Sequence, residues 1–264
     1  MPIEPRVAVV IPARYASTRL PGKPLADIHG RPMIEWVVRR AKEAAVGEVL
    51  VATDDERVAR AVEGFGGRAM MTSPSHASGT DRVAEVAAEL DCDVVINVQG
   101  DEPLLASADI RRLVEPFRGE GAPAVVTLMT PIRDLEQMFD TNVTKVVTDR
   151  EGRALYFSKA PIPYDRAAWP RGVGGGKASG GDISGARKHL GIYAYSREFL
   201  MQVPALPVTR LEAVEKLEQL RFLEYGYTVR VLETETDSPG VDSAEDLERV
   251  RRLIGESGGK HVQP

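Results

Sequence analysis

The stretch Val7-Ala-Val-Val-Ile11-Pro-Ala-Arg-Tyr-Ala-Ser-Thr-Arg-Leu-Pro-Gly-Lys-Pro24 decides how the rest of the chain is read. Val7 to Ile11 is a short β-branched apolar run ending at a proline, the pattern of a strand buried on both faces of a parallel sheet. Arg14, Arg19 and Lys23 follow within ten positions and without one acidic residue. From Pro32 the apolar positions Met33, Ile34, Val37, Val38 and Ala41 recur at helical spacing, with Gly47 just beyond the end. Strand, basic loop and helix in that order open an α/β sheet, which binds its ligands at the carboxyl ends of its strands.

The alternation continues, with strands at 49–53, 68–72, 93–98 and 124–129 between helices at 55–65, 80–90 and 107–117. Strands separated by helices of this length imply crossovers and a parallel sheet covered by helices. After about residue 140 the rhythm changes: Asp149-Arg-Glu-Gly152 separates strands at 143–148 and 154–157 as a hairpin turn, so the sheet is expected to be mixed and mostly parallel. Residues 170–186 hold seven glycines and few apolar positions, the composition of a mobile surface loop. A strand at 190–195, one helix over 211–225 burying Leu211, Val214, Leu217 and Leu220, a strand at 229–232 and a helix at 244–254 complete the pattern. Gly255 onward reads as a frayed tail. With no internal repeat and no linker, residues 1–264 read as a single domain.

The chain is 43% hydrophobic and 28% charged, with formal net charge -5, which argues against the basic face that nucleic acid requires and directs attention to small anionic ligands. Cys92 is the only cysteine, so no intrachain disulfide forms, and His29, His76, His189 and His261 lack metal-ligand spacing. No apolar run approaches the roughly 18 residues of a membrane span, and no charged-then-apolar leader opens the chain. The expectation is a cytoplasmic protein acting on small molecules, with no nucleic-acid or membrane partner.

Phosphate is the natural occupant of a basic loop after a first strand; the plainer alternative is a solvated surface loop. No G-x-G-x-x-G occurs, Gly22-Lys23-Pro24 lacks the hydroxyl residue of a P-loop, and Gly174-Gly-Gly-Lys177 lacks both the first glycine and the hydroxyl. The strand ending at Val98 leads into Gln99-Gly-Asp-Glu-Pro103, bringing Asp101 and Glu102 to the same sheet edge. Their hard oxygens suit magnesium, although Asp101 could instead cap the helix entered near Ser107. Asp242, in Pro239-Gly-Val-Asp242, could cap the final helix or reach a metal, and Ser78-Gly-Thr80 could cap its helix or accept a base or ribose.

Taken together, Ile11 to Lys23, Ser78-Gly-Thr80, Asn97-Val-Gln-Gly-Asp-Glu-Pro103, Leu155-Tyr-Phe-Ser158, Lys188-His-Leu-Gly-Ile-Tyr193, Leu217-Glu-Gln-Leu-Arg221 and Gly240-Val-Asp242 resemble one family closely. It is the 3-deoxy-D-manno-octulosonate (Kdo) cytidylyltransferases, the CMP-Kdo synthetases of lipopolysaccharide synthesis, and the matches run from about residue 6 to residue 253. The resemblance implies a Rossmann-like nucleotidyltransferase sandwich with a mixed, mostly parallel sheet. It also implies transfer of CMP from CTP to the anomeric hydroxyl of Kdo, a magnesium requirement, a homodimer, and a sugar-binding and dimerisation subregion at about 140–230. By matching position, Arg14, Lys23 and Asp101 would be catalytic. Ala13, Arg14, Lys23, Ser78, Gly79, Thr80 and Gln99 would bind the nucleotide. Gln99, His189, Tyr193, Glu215 and Gln219 would meet the sugar, and Asp101 and Asp242 would hold Mg2+. Lys159 stands where the family's arginine is expected, and lysine cannot offer a carboxylate a bidentate fork. Without the resemblance, His189 reads as a packed histidine, and Glu215 with Gln219, one turn apart on a helix, as a solvated face. The rival readings are a cytidylyltransferase for another acidic sugar and a non-catalytic nucleotide-binding protein.

Overall fold

The computed structural model describes residues 4–16, 19–119, 121–166, 183 and 185–256. In chain order its elements are β1 (Val7–Pro12), a 3-10 turn (Lys23–Leu25), β2 (Asp27–Ile28), β3 (Arg31–Pro32), α1 (Met33–Ala44), β4 (Glu48–Thr53), α2 (Glu56–Gly64) and β5 (Ala69–Met71). Then come α3 (Gly79–Ala88), β6 (Val94–Asn97), α4 (Ser107–Val114), β7 (Val125–Pro131), α5 (Leu135–Phe139), β8 (Lys145–Thr148) and β9 (Ala154–Ser158). The chain ends with β10 (Arg187–Ser196), α6 (Arg197–Leu200), α7 (Arg210–Glu215), α8 (Gln219–Glu224), β11 (Val229–Glu233) and α9 (Ala244–Glu256). The glycine-rich stretch expected to be mobile lies almost wholly outside the described residues, as does most of the expected tail.

These elements form two compact units: residues 1–122, 192–205 and 238–264 in the first, 123–191 and 206–237 in the second. In the first unit β1 is the central strand, and Ala8 to Ile11 are completely buried. At about 2 kcal/mol for each large apolar side chain removed from water, that run anchors the sheet. It pairs in parallel with β4 on one side, Val9 opposite Val49, and with β6 on the other, Val9 opposite Ile96. The second half of β10 lies antiparallel to β6, Tyr193 opposite Asn97, and β5 closes the far edge beside β4. The chain thus moves outward from β1 to β4 and β5 and then returns to β6 on β1's other flank. That reversal is a topological switch point, and it opens a crevice beyond the carboxyl ends of β1 and β6.

The helix boundaries follow their caps. Asp55 accepts from the amide of Arg57 at the start of α2, and Ser78 and Asp81 form a reciprocal capping box at α3. Pro32 stands at the cap position of α1, whose buried face carries Met33, Ile34, Val37, Val38, Ala41 and Ala44.

In the second unit β11 runs parallel to β7, and β8 and β9 form the expected antiparallel hairpin. Gly152 closes its turn at φ 75°, with Asp149 accepting from the amides of Glu151 and Arg153. The continuous helix expected over 211–225 is not formed. It breaks at Lys216, which takes φ 57° and donates its amide to the Glu212 carbonyl, leaving α7 and α8 as short separate helices. Val214, assigned to the buried face, is 72% exposed. Tertiary bonds outweigh helical periodicity here: Arg221 grips Glu212 in a fork of 2.7 and 2.5 Å, and Glu215 is drawn to the end of β9.

Candidate active site

The crevice beyond β1 is built by a loop that folds back on itself. Gly22 donates to the Tyr15 carbonyl at 3.1 Å and adopts φ 70°, and a Cβ there would press within 3.2 Å of the Tyr15 ring. The Arg57 guanidinium lies over that ring, 3.4 Å from its centroid. Pro24 then fixes the 3-10 turn that turns Lys23 inward. Across from it, Gly100 brings the loop after β6 so close that a Cβ would lie 2.8 Å from the Pro12 carbonyl oxygen. Between the loops is a cleft of about 310 Å³ lined by Ala13, Arg14, Lys23, Gly79, Gln99 and Asp101, together with Ala16 and Ala77.

Lys23 is the electrostatic centre of this cleft. Its Nζ lies 2.5 Å from Asp101 Oδ2 and 3.3 Å from Asp242 Oδ1, and donates to the Val241 carbonyl at 3.0 Å. Arg19 reaches the same Asp242 oxygen at 3.0 Å. Asp101 therefore lines the cleft, Asp242 meets the Lys23 ammonium beside it, and neither caps a helix. The cap residue of α4 is Ala106, without a side-chain bond, and the start of α9 is held by Ser243 and Asp246.

Among the described residues no three or more His, Cys, Asp or Glu side chains converge on a metal position. Asp101 and Asp242 do converge, on the point taken by the Lys23 ammonium, so a cation already stands between two hard oxygen donors. Two carboxylates completed by substrate phosphates and water are how magnesium is usually held, and the donor set fits it.

The other residues expected on the nucleotide side have different surroundings. Arg14 donates to the carbonyls of His76 and Ser78, tying the loop before α3 to the loop after β1. The Ser78 hydroxyl is engaged in its capping box, Gly79 lines the cleft, and Thr80 is buried. Gln99 donates to the Asn97 side chain at 3.1 Å, which presents it at the cleft wall.

The residues assigned to the sugar are distributed differently. In the second unit His189 is buried, 5.0 Å from the Phe157 ring in an edge contact, with Nε2 2.9 Å from Thr127 Oγ1. The Thr127 hydroxyl also lies 3.1 Å from the Leu190 carbonyl. Burial pushes the pKa of His189 down from 6.5 to about 3, so the ring is neutral. Glu215 accepts from Ser158 Oγ at 2.7 Å, the Lys159 amide at 3.0 Å and the Tyr156 hydroxyl at 3.4 Å. Along β9, Tyr156 and Ser158 reach Glu215 while the intervening Phe157 meets His189, so strand alternation places the two contacts on opposite faces.

Gln219 is buried at the first turn of α8, on the far side of the break at Lys216, so it does not share a helical face with Glu215. Tyr193 belongs to the first unit, its ring stacked on Tyr195 at 5.6 Å. Sequence reasoning missed the pairing of Arg19 with Asp242, the close approach at Gly100, and buried Lys145. The last shows in the sequence only as a lysine in Val143-Thr-Lys-Val-Val-Thr148.

The cytidylyltransferase family model matches residues 8–235. The 3-deoxy-manno-octulosonate cytidylyltransferase of Geotalea uraniireducens is 51% identical over 246 residues, covering 93% of this chain and 97% of its own. A solved CMP:2-keto-3-deoxy-manno-octonic acid synthetase complexed with CTP superposes with a TM-score of 0.86 at 43% identity, covering 96% of this chain and 99% of that one. The 4-diphosphocytidyl-2C-methyl-D-erythritol synthase of Anaerococcus prevotii, at 12% identity, TM-score 0.62 and 95% and 98% coverage, shares the fold alone. A cleft at the switch point carrying a lysine between two carboxylates is thus found in a chain half identical to its relatives over nearly its whole length: it belongs to the 3-deoxy-manno-octulosonate cytidylyltransferase family.

Proposed function

We infer that the chain transfers the cytidylyl group of CTP to the anomeric 2-hydroxyl of Kdo, releasing pyrophosphate. The observation that carries this reading is Lys23 held between Asp101 and Asp242 in a cleft walled by Arg14, Gly79 and Gln99. A new bond forms between the sugar oxygen and the α-phosphorus while the bond to the β-phosphate oxygen breaks, and the hydroxyl proton passes to solvent. Such transfers ask a protein mainly for positioning and for charge aimed at the phosphoryl oxygens. Lys23 and Arg14 supply that charge, and Ala13, Ser78, Gly79 and Thr80 form the nucleoside wall. Ser78 acts through the α3 cap rather than through a free hydroxyl.

Asp101 and Asp242 would hold Mg2+, which would neutralise the triphosphate and acidify the sugar hydroxyl. Because Lys23 occupies both carboxylates, its ammonium must turn to the phosphates as the nucleotide arrives. Glu215, Gln219 and neutral His189, in the second unit, are assigned to the polyhydroxylated acceptor; Gln99 and Tyr193 lie near the paired ends of β6 and β10 in the first. We further assign the chain to a homodimer of the bacterial cytoplasm serving lipopolysaccharide synthesis.

The test is pyrophosphate release from CTP and magnesium with Kdo or with N-acetylneuraminate. Release with Kdo alone is expected; release with the other sugar alone reassigns the acceptor, and release with neither removes the activity.

A further inference from the structure

Lys145, at the start of β8, is completely buried. Its ammonium donates to three carbonyls, those of Asp140 at 2.9 Å, Val143 at 2.6 Å and Lys159 at 2.8 Å, which uses all three of its protons. Removing an ammonium from water is costly, and carbonyl dipoles repay less than a counter-ion would. A strand position that only had to be filled would take leucine or methionine, so the charge at this site calls for an account.

Its third partner supplies one. The Lys159 peptide is held from two sides: its carbonyl by Lys145, its amide by the Glu215 carboxylate at 3.0 Å. Ser158 Oγ, which bonds the other Glu215 oxygen at 2.7 Å, also accepts from the Ala160 amide at 2.9 Å. The turn 158–160 is thus clamped between a buried cation and a carboxylate. Asp140, Lys159 and Glu215 are the charged groups that act on Lys145 electrostatically. Glu215 by itself would repel an acidic sugar, and a fixed positive charge behind it offsets that field where solvent screens little.

We propose that Lys145 is a positioning residue for the acceptor: its ammonium fixes the 158–160 turn that holds Glu215 and balances that carboxylate toward an anionic sugar. The proposal rests on the assignment of Glu215 to the acceptor and names what makes that carboxylate compatible with an acid ligand. Lys145 itself touches no substrate.

The experiment compares Lys145→Met and Lys145→Gln with Val146→Ala, a change at the next and equally buried strand position that loosens packing without touching the turn. KM for Kdo, KM for CTP, kcat and Tm are measured for each. The lysine variants are expected to raise the Kdo KM about tenfold or more, the size of a lost charged hydrogen bond, with the CTP KM within about twofold. Val146→Ala should lower Tm and leave both KM values within about twofold. Lysine variants that behave like Val146→Ala, or that fail to fold while Val146→Ala folds, make Lys145 a purely structural residue and overturn the proposal. Glu215→Gln separates the two levels. An unchanged Kdo KM in that variant removes the acceptor assignment itself; a raised one, beside unaffected lysine variants, removes only the role of Lys145.

Discussion

Acidification should unfold this protein partly through one histidine. His189 has its ordinary pKa of 6.5 in the unfolded chain and about 3 in the fold, because burial disfavours the charged imidazolium. The unfolded state therefore takes up the proton first as the pH falls. The stability it contributes is whole above about 6.5 and is lost progressively on the way down to about 3. Between pH 7 and pH 5 the loss from this residue is about 2 kcal/mol, at roughly 1.4 kcal/mol per unit below its unfolded pKa. For a chain of this length that corresponds to a fall in Tm of about 4–8 °C.

Other groups titrate in the same range, so the measurement is a difference. Guanidinium unfolding of the wild type and of His189→Gln, whose amide can still meet Thr127, is followed at both pH values. The variant should be the less stable at pH 7, and the gap should narrow by about 2 kcal/mol at pH 5. Parallel pH dependence in the two proteins, within about 0.5 kcal/mol, would mean that the folded imidazole titrates normally, and the argument for a buried neutral ring would fail.

Other outcomes follow from the cleft. Lys23→Ala should lower kcat for cytidylyl transfer by about 100-fold or more, the usual cost of losing a charge aimed at a transition state; near-normal turnover removes Lys23 from the mechanism. Asp101→Asn and Asp242→Asn should each weaken Mn2+ binding in the presence of CTP, measured by electron paramagnetic resonance, and a full-affinity site in either variant contradicts the ligand assignment. Gly100→Ala places a methyl 2.8 Å from the Pro12 carbonyl and should cost about 1–3 kcal/mol of stability while raising the CTP KM. Ser78→Ala should cost about 1 kcal/mol through the lost α3 cap, and an unchanged Tm would show that the hydroxyl does not cap.

The fold was legible wherever one local pattern dominates. β1 shows its burial as an uninterrupted apolar run, and α2 and α3 show their starts through Asp55 and Ser78. It was not legible at 211–225, where the apolar spacing suits one helix but a left-handed Lys216 and the Arg221–Glu212 fork, formed between residues nine apart, decide otherwise. The meeting of Arg14, Lys23 and Asp101 in one cleft could be read because these charges follow strand ends directly. What sequence left open there was the choice between capping and cleft for Asp101 and Asp242. The structure resolves that choice because Ser243 and Asp246 cap α9, freeing Asp242. Lys145 could not be found in advance, since its partners are backbone carbonyls and carbonyls leave no mark in a sequence.

The two compact units are interleaved along the chain, with boundaries near residues 122, 191, 205 and 237, and the second of these falls inside β10. No single cut therefore releases either unit as one continuous fragment. An attempt to exchange the second unit between relatives must graft two separate segments and make one of its joints within a hydrogen-bonded strand. Recombination, natural or engineered, is confined by that joint to partners whose β10 keeps the same register across residues 191 and 192, so the specificities of this chain are expected to change by point substitution rather than by exchange of modules.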